Sequence, residues 1–261
     1  MVAERIYRQT FFGVSALIFV ASAALTIVWG ISMSAMGGMP MPGGWTMSMT
    51  WMTGPNWISA AAAFLGMWVL MMVAMMMPSL VPMLFRYRQA VGAAGGTHLG
   101  WLTALAGLGY FFVWTVFGMA IFPLGIVLTN FEMQQPALAR TVPLVSGVIF
   151  LVAGGLQFTA WKAGHLACCR EAPDCGRAIP ANSAAAWRQG LRFGLHCSQC
   201  CFGLMAILLV IGVMDLRAMV VVAAAITIER LAPAGERVAR ITGVVAIAVG
   251  LFLIVQAAGI G

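Results

Sequence analysis

Three thiols and an imidazole lie together in the segment HCSQCC, residues 196–201. On a helix, the spacing of His196, Cys197, Cys200 and Cys201 places them within an arc of about 140° on one face, because each residue turns the helix by about 100°. Thiolate and imidazole are the donors that hold Zn(II), Cu(I) or an iron–sulfur cluster. One helix face therefore offers several ligands for a soft metal.

The same donors recur just upstream, in the segment HLACCREAPDC. It contributes one imidazole and three thiols, from His165, Cys168, Cys169 and Cys175. A tetrahedral site needs only four such ligands, so which four act together stays open. A single cysteine fits burial as a small hydrophobic residue. Because all six cysteines lie within residues 168–201, we favour metal or redox chemistry over packing.

Methionine is concentrated in two neighbouring stretches. Seven of the 20 methionines lie in an uncharged segment rich in Gly, Pro and Ser: Met33, Met36, Met39, Met41, Met47, Met49 and Met52. Seven more lie in or just beyond the next apolar segment: Met67, Met71, Met72, Met75, Met76, Met77 and Met83. Thioethers are soft donors that select Cu(I) among biological metals. The two stretches therefore indicate copper.

The methionines of the apolar segment follow a helical repeat. Met67, Met71 and Met75 are spaced by four residues, with Met72 and Met76 beside them, so they line one face of a helix. Such a track fits a path of metal ligands and equally fits packing, because methionine fills uneven gaps in a core. The Gly/Pro/Ser/Met segment has little core to fill. Its thioethers favour capture of a soft ion, with anchoring at the membrane surface as the alternative.

Two charged residues end a short apolar run near the C-terminus. The run Ala218–Ile228 is followed directly by Glu229 and Arg230. We expect Glu229 at the depth of the HCSQCC face, where it would complete a metal shell or orient His196. Pairing of Glu229 with a neighbouring arginine at the water interface is the alternative. Lys162 is expected to be an interface residue.

The elements that carry these residues are long apolar segments. Hydrophobic residues make up 62% of the 261 residues and charged residues 8%, against roughly 25% charged in globular domains, so we predict an integral membrane protein. The apolar segments lie near residues 11–30, 57–85, 99–129, 142–163, 194–214, 217–233 and 241–258. A membrane span needs about 20 residues, and only 217–233 falls short. We predict an all-α polytopic transmembrane helical bundle with seven helices, or six if 217–233 does not span.

The basic residues predict which side of the membrane each connection faces. With the N-terminus in the cytoplasm, the positive-inside rule is met by all of the 14 basic residues except Arg140 and Arg217, provided that 217–233 crosses. The inner side receives Arg5, Arg8, Arg86, Arg88, Lys162, Arg170, Arg177, Arg188, Arg192, Arg230, Arg237 and Arg240. We predict a multi-pass protein of the bacterial inner (plasma) membrane with a retained first helix. The net charge of +7 does not indicate a nucleic-acid partner, because the basic residues lie between apolar segments and act as topology signals.

We expect one transmembrane helical domain over residues 1–261. Its Met-rich outer loop covers residues 31–56, and its Cys/His-rich inner loop covers residues 164–193. The cysteines then face a reducing compartment, where structural disulfides are rare. Thiols gathered on that side again indicate metal or redox chemistry.

Four segments combine into a recognisable pattern: MMVAMMMPSLVP, KAGHLACCREAP, GLHCSQCCFGLMAILLVIGVMDLRAM and IER, over roughly residues 60–232. Together they resemble a bacterial family of predicted metal-binding integral membrane proteins of unknown function. That family's pattern reads Lys-x-x-Cys-Leu-x-x-Cys, then Cys-x-x-Cys-Cys-Trp and later Glu-Lys. This chain departs from it with His165 for the first Cys, Phe202 for Trp and Arg230 for Lys. The resemblance implies metal binding, and an imidazole at position 165 can replace a thiolate ligand.

The predicted order of soft ligands points to a function. A Met-rich outer loop leads to a Met-lined helix and then to a Cys/His group at the cytoplasmic end, in order of increasing ligand strength. In ligand chemistry this is similar to the eukaryotic high-affinity copper transporters. We predict that the protein binds a soft metal, Cu(I) before zinc or iron, and transports or transfers it across the inner membrane. Its partners would be the lipid bilayer, the metal ion, and a metallochaperone or larger membrane complex.

An alternative function is that of a subunit or assembly factor of a membrane metalloenzyme or redox complex. CSQC at residues 197–200 has the Cys-x-x-Cys spacing of a redox pair. Thiol oxidases usually act on the outer side of the membrane, whereas these cysteines are predicted inside. We therefore expect transfer rather than catalysis, with a purely structural subunit as a third possibility.

Overall fold

Helices make up almost all of the chain that the structure describes. The structure is a computed structural model, and it describes residues 2–35, 37–40, 46–48, 56–93, 95, 98–170, 181–213 and 215–259. Within these ranges lie α1 Val2–Ala35, α2 Trp57–Ala93, α3 Leu99–Gln134, α4 Pro136–Leu156, α5 Ala160–Arg170, α6 Ser183–Ile211, α7 Leu216–Leu231 and α8 Gly235–Ala257. The predicted all-α class is confirmed.

A short hairpin lies in the predicted Met-rich outer loop. β1 (Gly38–Pro40) pairs antiparallel with β2 (Thr46–Ser48), and Met39 is the Cα partner of Met47. Capture of an ion by this loop stays a prediction, because much of the loop lies outside the described residues, including Met36, Met41, Met49 and Met52.

Capping residues define where α6 and α7 begin and where α6 ends. The side chain of Asn182 accepts a hydrogen bond from the backbone N–H of Ala185, 2.8 Å away, and so caps α6. Asp215 caps α7 in the same way through the N–H of Arg217 and that of the next residue. Gly212 follows α6 with a φ of +131°, which glycine adopts without strain.

The number of membrane spans differs from the sequence prediction. Five of the described helices, α1, α2, α3, α6 and α8, are long and apolar enough to cross a membrane, and the number is six if the bent pair α4–α5 forms one span. Seven spans is therefore wrong, whereas the alternative of six agrees with the bent pair.

The missing span is α7, which corresponds to the predicted segment 217–233. It has 16 residues and rises about 24 Å at 1.5 Å per residue, which is less than the roughly 30 Å of the hydrocarbon core. The inner-side assignment of the basic residues required that α7 crosses. The orientation of the chain therefore stays a prediction.

A sharp break divides the segment near 142–163, which the sequence predicts as one helix. α4 and α5 meet at an angle of 64°. Thr159 stabilises the break, because its hydroxyl donates to the carbonyl of Leu156 at 2.7 Å and accepts from the N–H of Lys162 at 3.3 Å. The bend brings α5 into contact with α6 and α7.

Glycines allow α3 and α6 to pack with their backbones in contact. A Cβ at Gly190 would overlap the carbonyl oxygen of Ala106, and a Cβ at Gly194 would lie 3.0 Å from the carbonyl oxygen of Tyr110. Only glycine permits so close an approach without displacement of the facing helix. The contact brings Tyr110 of α3 next to Cys197 of α6.

The outward faces of the helices are apolar. Leu17 of α1, Leu124 of α3 and Phe252 of α8 are each more than half exposed. Extended apolar surface of this kind is unusual for a soluble monomer and suits contact with lipid. α7 exposes Val220 and Val221 in the same way, so this short helix also presents an apolar side. The long apolar helices and this surface together support a membrane protein.

Candidate metal centre

Three sulfur atoms from two helices meet in the core. Sδ of Met76 on α2 lies 3.9 Å from Sγ of Cys197 on α6, and Sγ of Cys197 lies 4.0 Å from Sγ of Cys201. All three side chains are at most 1% exposed. We refer to Met76, Cys197 and Cys201 as the sulfur triplet.

The distances from the Cys197 sulfur to the other two sulfurs suit ligands of a single bound ion. Two sulfurs that each lie about 2.3 Å from one metal are roughly 3.8 Å apart in tetrahedral and roughly 4.0 Å apart in trigonal coordination. The separations of 3.9 and 4.0 Å fall in that range. Two thiols and one thioether are soft donors, which fit Cu(I) in kind as well as in distance. Both cysteines are free of disulfides.

A tyrosine contacts the central sulfur of the triplet. Oη of Tyr110 lies 2.8 Å from Sγ of Cys197, and either atom can donate the hydrogen. Sγ of Cys201 donates to the carbonyl oxygen of Cys197 at 2.9 Å. When Cys197 is a thiolate, Tyr110 becomes the donor, because a thiolate carries no proton. The hydroxyl then stabilises the ionised, metal-binding form.

A buried guanidinium lies at the same level of the core. Arg230 of α7 donates from Nη2 to the carbonyl oxygen of Cys197 and from Nη1 to Oγ of Ser79, both at 3.4 Å. Ser79 in turn donates to the carbonyl of Met76 at 3.0 Å. Arg230 therefore contacts both of the helices that supply the sulfur triplet, and it places a positive charge beside it.

Glu229, the neighbour of Arg230 on α7, contacts the bent segment. Its carboxylate accepts from Nζ of Lys162 at 2.9 Å and from Nε2 of Gln157 at 3.2 Å. Lys162 also donates to the carbonyl oxygen of Cys200 at 2.6 Å. Glu229 thus pairs with a lysine in the protein interior, and not with an arginine at the water interface. The interface position expected for Lys162 is also wrong, since Lys162 is 4% exposed.

Cys200, on the same helix as the two cysteines of the triplet, borders the bent segment. Cys200 lines a small crevice with Gln157, Trp161 and Lys162. The predicted four-ligand face of α6 therefore contributes Cys197 and Cys201 to the triplet, while Cys200 lies beside the bent segment. Its role as a metal ligand stays a prediction.

Two histidines approach each other, and one of them, His196, directly precedes Cys197 on α6. The ring centroids of His165 and His196 are 6.0 Å apart, and Trp161 packs edge-on against His165 at 4.6 Å. Nδ1 of His196 is buried and has no hydrogen-bond partner within the described part of the chain. The side chains of Cys168 and Cys169 and the whole of Cys175 lie outside the described residues, so their predicted part in this cluster is not described.

The predicted methionine track faces the interior of the bundle. Its members are all at most 5% exposed: Met67, Met71, Met72, Met75 and Met76. Burial fits a path for an ion and also fits packing, as the sequence left open. The track ends at Met76, which belongs to the sulfur triplet, so its C-terminal end coincides with the thiols.

No group of three or more His, Cys, Asp or Glu side chains within the described ranges could hold a metal ion. The sulfur triplet has only two such residues, and its third donor is a methionine. The convergence of a methionine with thiols is the site that the described residues offer.

Several residues at the site escaped the sequence analysis. Tyr110 and Ser79 sit inside apolar segments, and nothing in their local spacing points to the thiols. The available signal was rarity, because the chain has only three tyrosines. Lys162 and Arg230 were identified as topology signals, although each is buried and contacts α6.

Comparison with known proteins places the chain in a family. No curated protein and no solved structure matches the chain significantly. Residues 65–253 match the family described as PpoB2, copper chaperone. The matched range contains the methionine track, the sulfur triplet, the two histidines and the Lys162–Glu229 pair, and it agrees with the metal-related family expected from the sequence. The chain belongs to the PpoB2 copper chaperone family.

Proposed function

We propose that this protein is a membrane-embedded copper carrier that binds Cu(I) at the sulfur triplet and transfers it across the bacterial inner membrane. The observation that carries the proposal is that the sulfurs of Met76 and Cys201 lie 3.9 and 4.0 Å from that of Cys197, with all three side chains buried. The family description supports copper as the cargo.

The donor set favours Cu(I) over zinc or iron. Thioethers bind Cu(I) well, whereas structural zinc sites use four thiolate or imidazole ligands in a tetrahedron. The triplet offers two thiolates and one thioether, and it holds them inside a low-dielectric core. A three-coordinate soft ion satisfies this site without a further ligand.

The methionine track supplies the path to the site. Met67 and Met76 are separated by nine positions on α2, or about 13 Å at 1.5 Å per residue. Thioethers are neutral, so an ion moving along them exchanges one weak ligand for the next. Arrival at Cys197 and Cys201 replaces thioethers with thiolates, which bind more strongly. Net movement toward the thiols then needs no ATP.

The histidine pair lies where the ion would leave the triplet. His196 directly precedes Cys197 in sequence, and His165 is 6.0 Å from it. The Lys162–Glu229 pair holds α5, which carries His165, against α6 and α7. Cys168, Cys169 and Cys175 follow in sequence and would pass the ion on. The acceptor would be a metallochaperone or a copper enzyme of the membrane.

The test is metal quantitation on the full chain. Protein from copper-supplemented cells, purified in mild detergent, should carry about one copper per chain. Cys197→Ser combined with Cys201→Ser should remove the copper, and Met76→Leu should weaken its retention during dialysis against a chelator. Met77→Leu is the matched control, because Met77 is the neighbouring buried methionine and lies outside the triplet.

Two results would contradict the proposal. One is wild-type protein that carries no copper although it is folded and helical. The other is copper retained in full by the double cysteine variant. If wild-type protein carries copper, Cys200→Ser adds information, because equal loss with this variant would extend the site toward the bent segment.

A further inference from the structure

We infer that Arg230 makes the sulfur triplet selective for a monovalent soft cation over a divalent one. The inference rests on the proposed function and concerns the specificity of the same site. The Arg230 guanidinium donates to the carbonyl of Cys197 and to Ser79, which lies one helical turn beyond Met76.

The charge of the loaded site depends on the ion. Metal binding requires that both cysteines be thiolates, and the Met76 thioether is neutral. A monovalent ion held by Cys197 and Cys201 therefore leaves a net charge of −1. A divalent ion held by the same ligands leaves a net charge of zero.

The guanidinium acts differently on these two states. In the protein interior, where the effective dielectric constant is well below that of water, a positive charge a few ångströms away stabilises an anion strongly. Arg230 therefore favours the site loaded with a monovalent ion. It offers no comparable stabilisation to the neutral site that a divalent ion would form.

The hydrogen bonds of Arg230 to neutral groups do not alter this difference. The contacts with the carbonyl of Cys197 and with Ser79 are present with either ion, so they cancel when the two loaded states are compared. The other buried charges among the described residues, Lys162 and Glu229, compensate each other at 2.9 Å. Among the described residues, the interaction of the Arg230 charge with the triplet is therefore the one that distinguishes the two ions.

Cu(I) and Zn(II) illustrate why a charge-based filter is useful. Both ions have filled d shells and both bind thiolates, so thiolate ligands alone distinguish Cu(I) from Zn(II) only weakly. They differ by one unit of charge. A fixed cation beside the ligands favours the ion of lower charge. The Met76 thioether separately favours the softer ion.

The experiment compares Ag(I) with Cd(II), two soft ions that are isoelectronic and differ by one charge. The full-length protein in detergent is exposed to both at equal concentration, and the bound ions are quantified by mass spectrometry. Wild-type protein should prefer Ag(I). Arg230→Gln should lower the bound Ag(I)/Cd(II) ratio by roughly tenfold to a hundredfold.

The matched control is Arg230→Lys, which keeps the charge and introduces the residue that the resembled family has at this position. Its ratio should stay within about threefold of wild type, because the charge is retained near the triplet. A ratio in Arg230→Gln equal to that of wild type would overturn the inference. So would wild-type protein that takes up Cd(II) as readily as Ag(I).

A second variant covers the case in which Arg230→Gln does not fold. Ser79→Asp places a carboxylate at the position that Nη1 of Arg230 contacts at 3.4 Å, which neutralises the guanidinium and leaves it in place. The Ag(I)/Cd(II) ratio should fall as in Arg230→Gln, whereas Ser79→Asn should leave it unchanged. An unchanged ratio in Ser79→Asp would overturn the inference.

The outcomes separate this inference from the proposed function. If wild-type protein binds neither ion, or if the Cys197→Ser, Cys201→Ser variant binds both as before, the triplet is not a metal site and the proposed function fails. If binding depends on the two cysteines but Arg230→Gln leaves the bound Ag(I)/Cd(II) ratio unchanged, only the selectivity role of Arg230 fails.

Discussion

Lys162 and Glu229 form a buried ion pair, with Nζ and Oε2 2.9 Å apart, between the bent segment α5 and the short helix α7. Lys162 also reaches the carbonyl of Cys200 on α6 at 2.6 Å. One lysine therefore connects three elements. Since α5 follows a 64° break, this pair is a main polar contact that holds the segment in place.

Removal of one partner of this pair should destabilise the fold. Lys162→Met leaves the Glu229 carboxylate buried without its cation, and we expect a loss of about 3–5 kcal/mol in the free energy of unfolding. The double variant Lys162→Met, Glu229→Leu should be more stable than either single variant, because it leaves neither member of the pair buried without its partner. Denaturant unfolding in detergent, read as a double-mutant cycle, measures this. Losses that simply add would contradict the pair as the cause.

The hydroxyl of Tyr110 should tune copper affinity without being a ligand. Tyr110→Phe removes the hydrogen bond to the Cys197 thiolate, and we expect the Cu(I) affinity to fall about tenfold, or about 1.4 kcal/mol. Titration against a competing Cu(I) chelator measures the change. Tyr87→Phe is the control, because Tyr87 is buried on α2 and its hydroxyl has no hydrogen-bond partner among the described residues. Equal losses in both variants would count against a role for the Tyr110 hydroxyl.

The close contact of α3 with α6 should depend on glycine at position 190. Gly190→Ala forces a methyl group onto the Ala106 carbonyl, so we expect destabilisation by about 1–3 kcal/mol from overpacking. Copper affinity should fall as well, because the displacement separates Tyr110 from Cys197. Gly66→Ala is the control, since nothing lies within 4 Å of its added Cβ. If the two variants unfold alike, the backbone contact is not the cause.

The methionine track should affect the movement of the ion more than its binding. In liposomes that contain the full chain, Met71→Leu combined with Met75→Leu should lower the Ag(I) flux by about tenfold, since leucine fills the space but offers no thioether. Binding at the triplet should persist at about one ion per chain. Met205→Leu, a buried methionine on α6, is the control. Unchanged flux in the double variant would make the track a packing element.

The sequence predicted the class of the fold well, because hydropathy is a local property. Long apolar runs gave α1, α2, α3, α6 and α8 directly. It failed at α4–α5, where the run near 142–163 has the length of one span, and the break depends on a hydroxyl of Thr159 that contacts backbone on both sides. At α7 the preferred count of seven was wrong, while the alternative that 217–233 does not span agrees with a helix of only 16 residues.

The sequence predicted half of the candidate site, for a similar reason. Helical spacing identified Cys197 and Cys201 as neighbours on one face, and the repeat on α2 identified Met76. Spacing within a helix cannot show which residues of other helices face it. Tyr110 reaches the Cys197 thiol, and Arg230 reaches the Cys197 carbonyl and Ser79, only through tertiary packing. Glu229 pairs with Lys162 because α5 bends back to meet it.

The sulfur triplet draws its donors from two different helices, with Met76 on α2 and both cysteines on α6. An ion bound there therefore cross-links α2 and α6. The transported ion then contributes to holding the two helices together. Loaded protein should resist heat better than empty protein, because binding to the folded state alone raises its stability. A difference in rigidity between the two forms would let an acceptor distinguish a full carrier from an empty one without touching the metal.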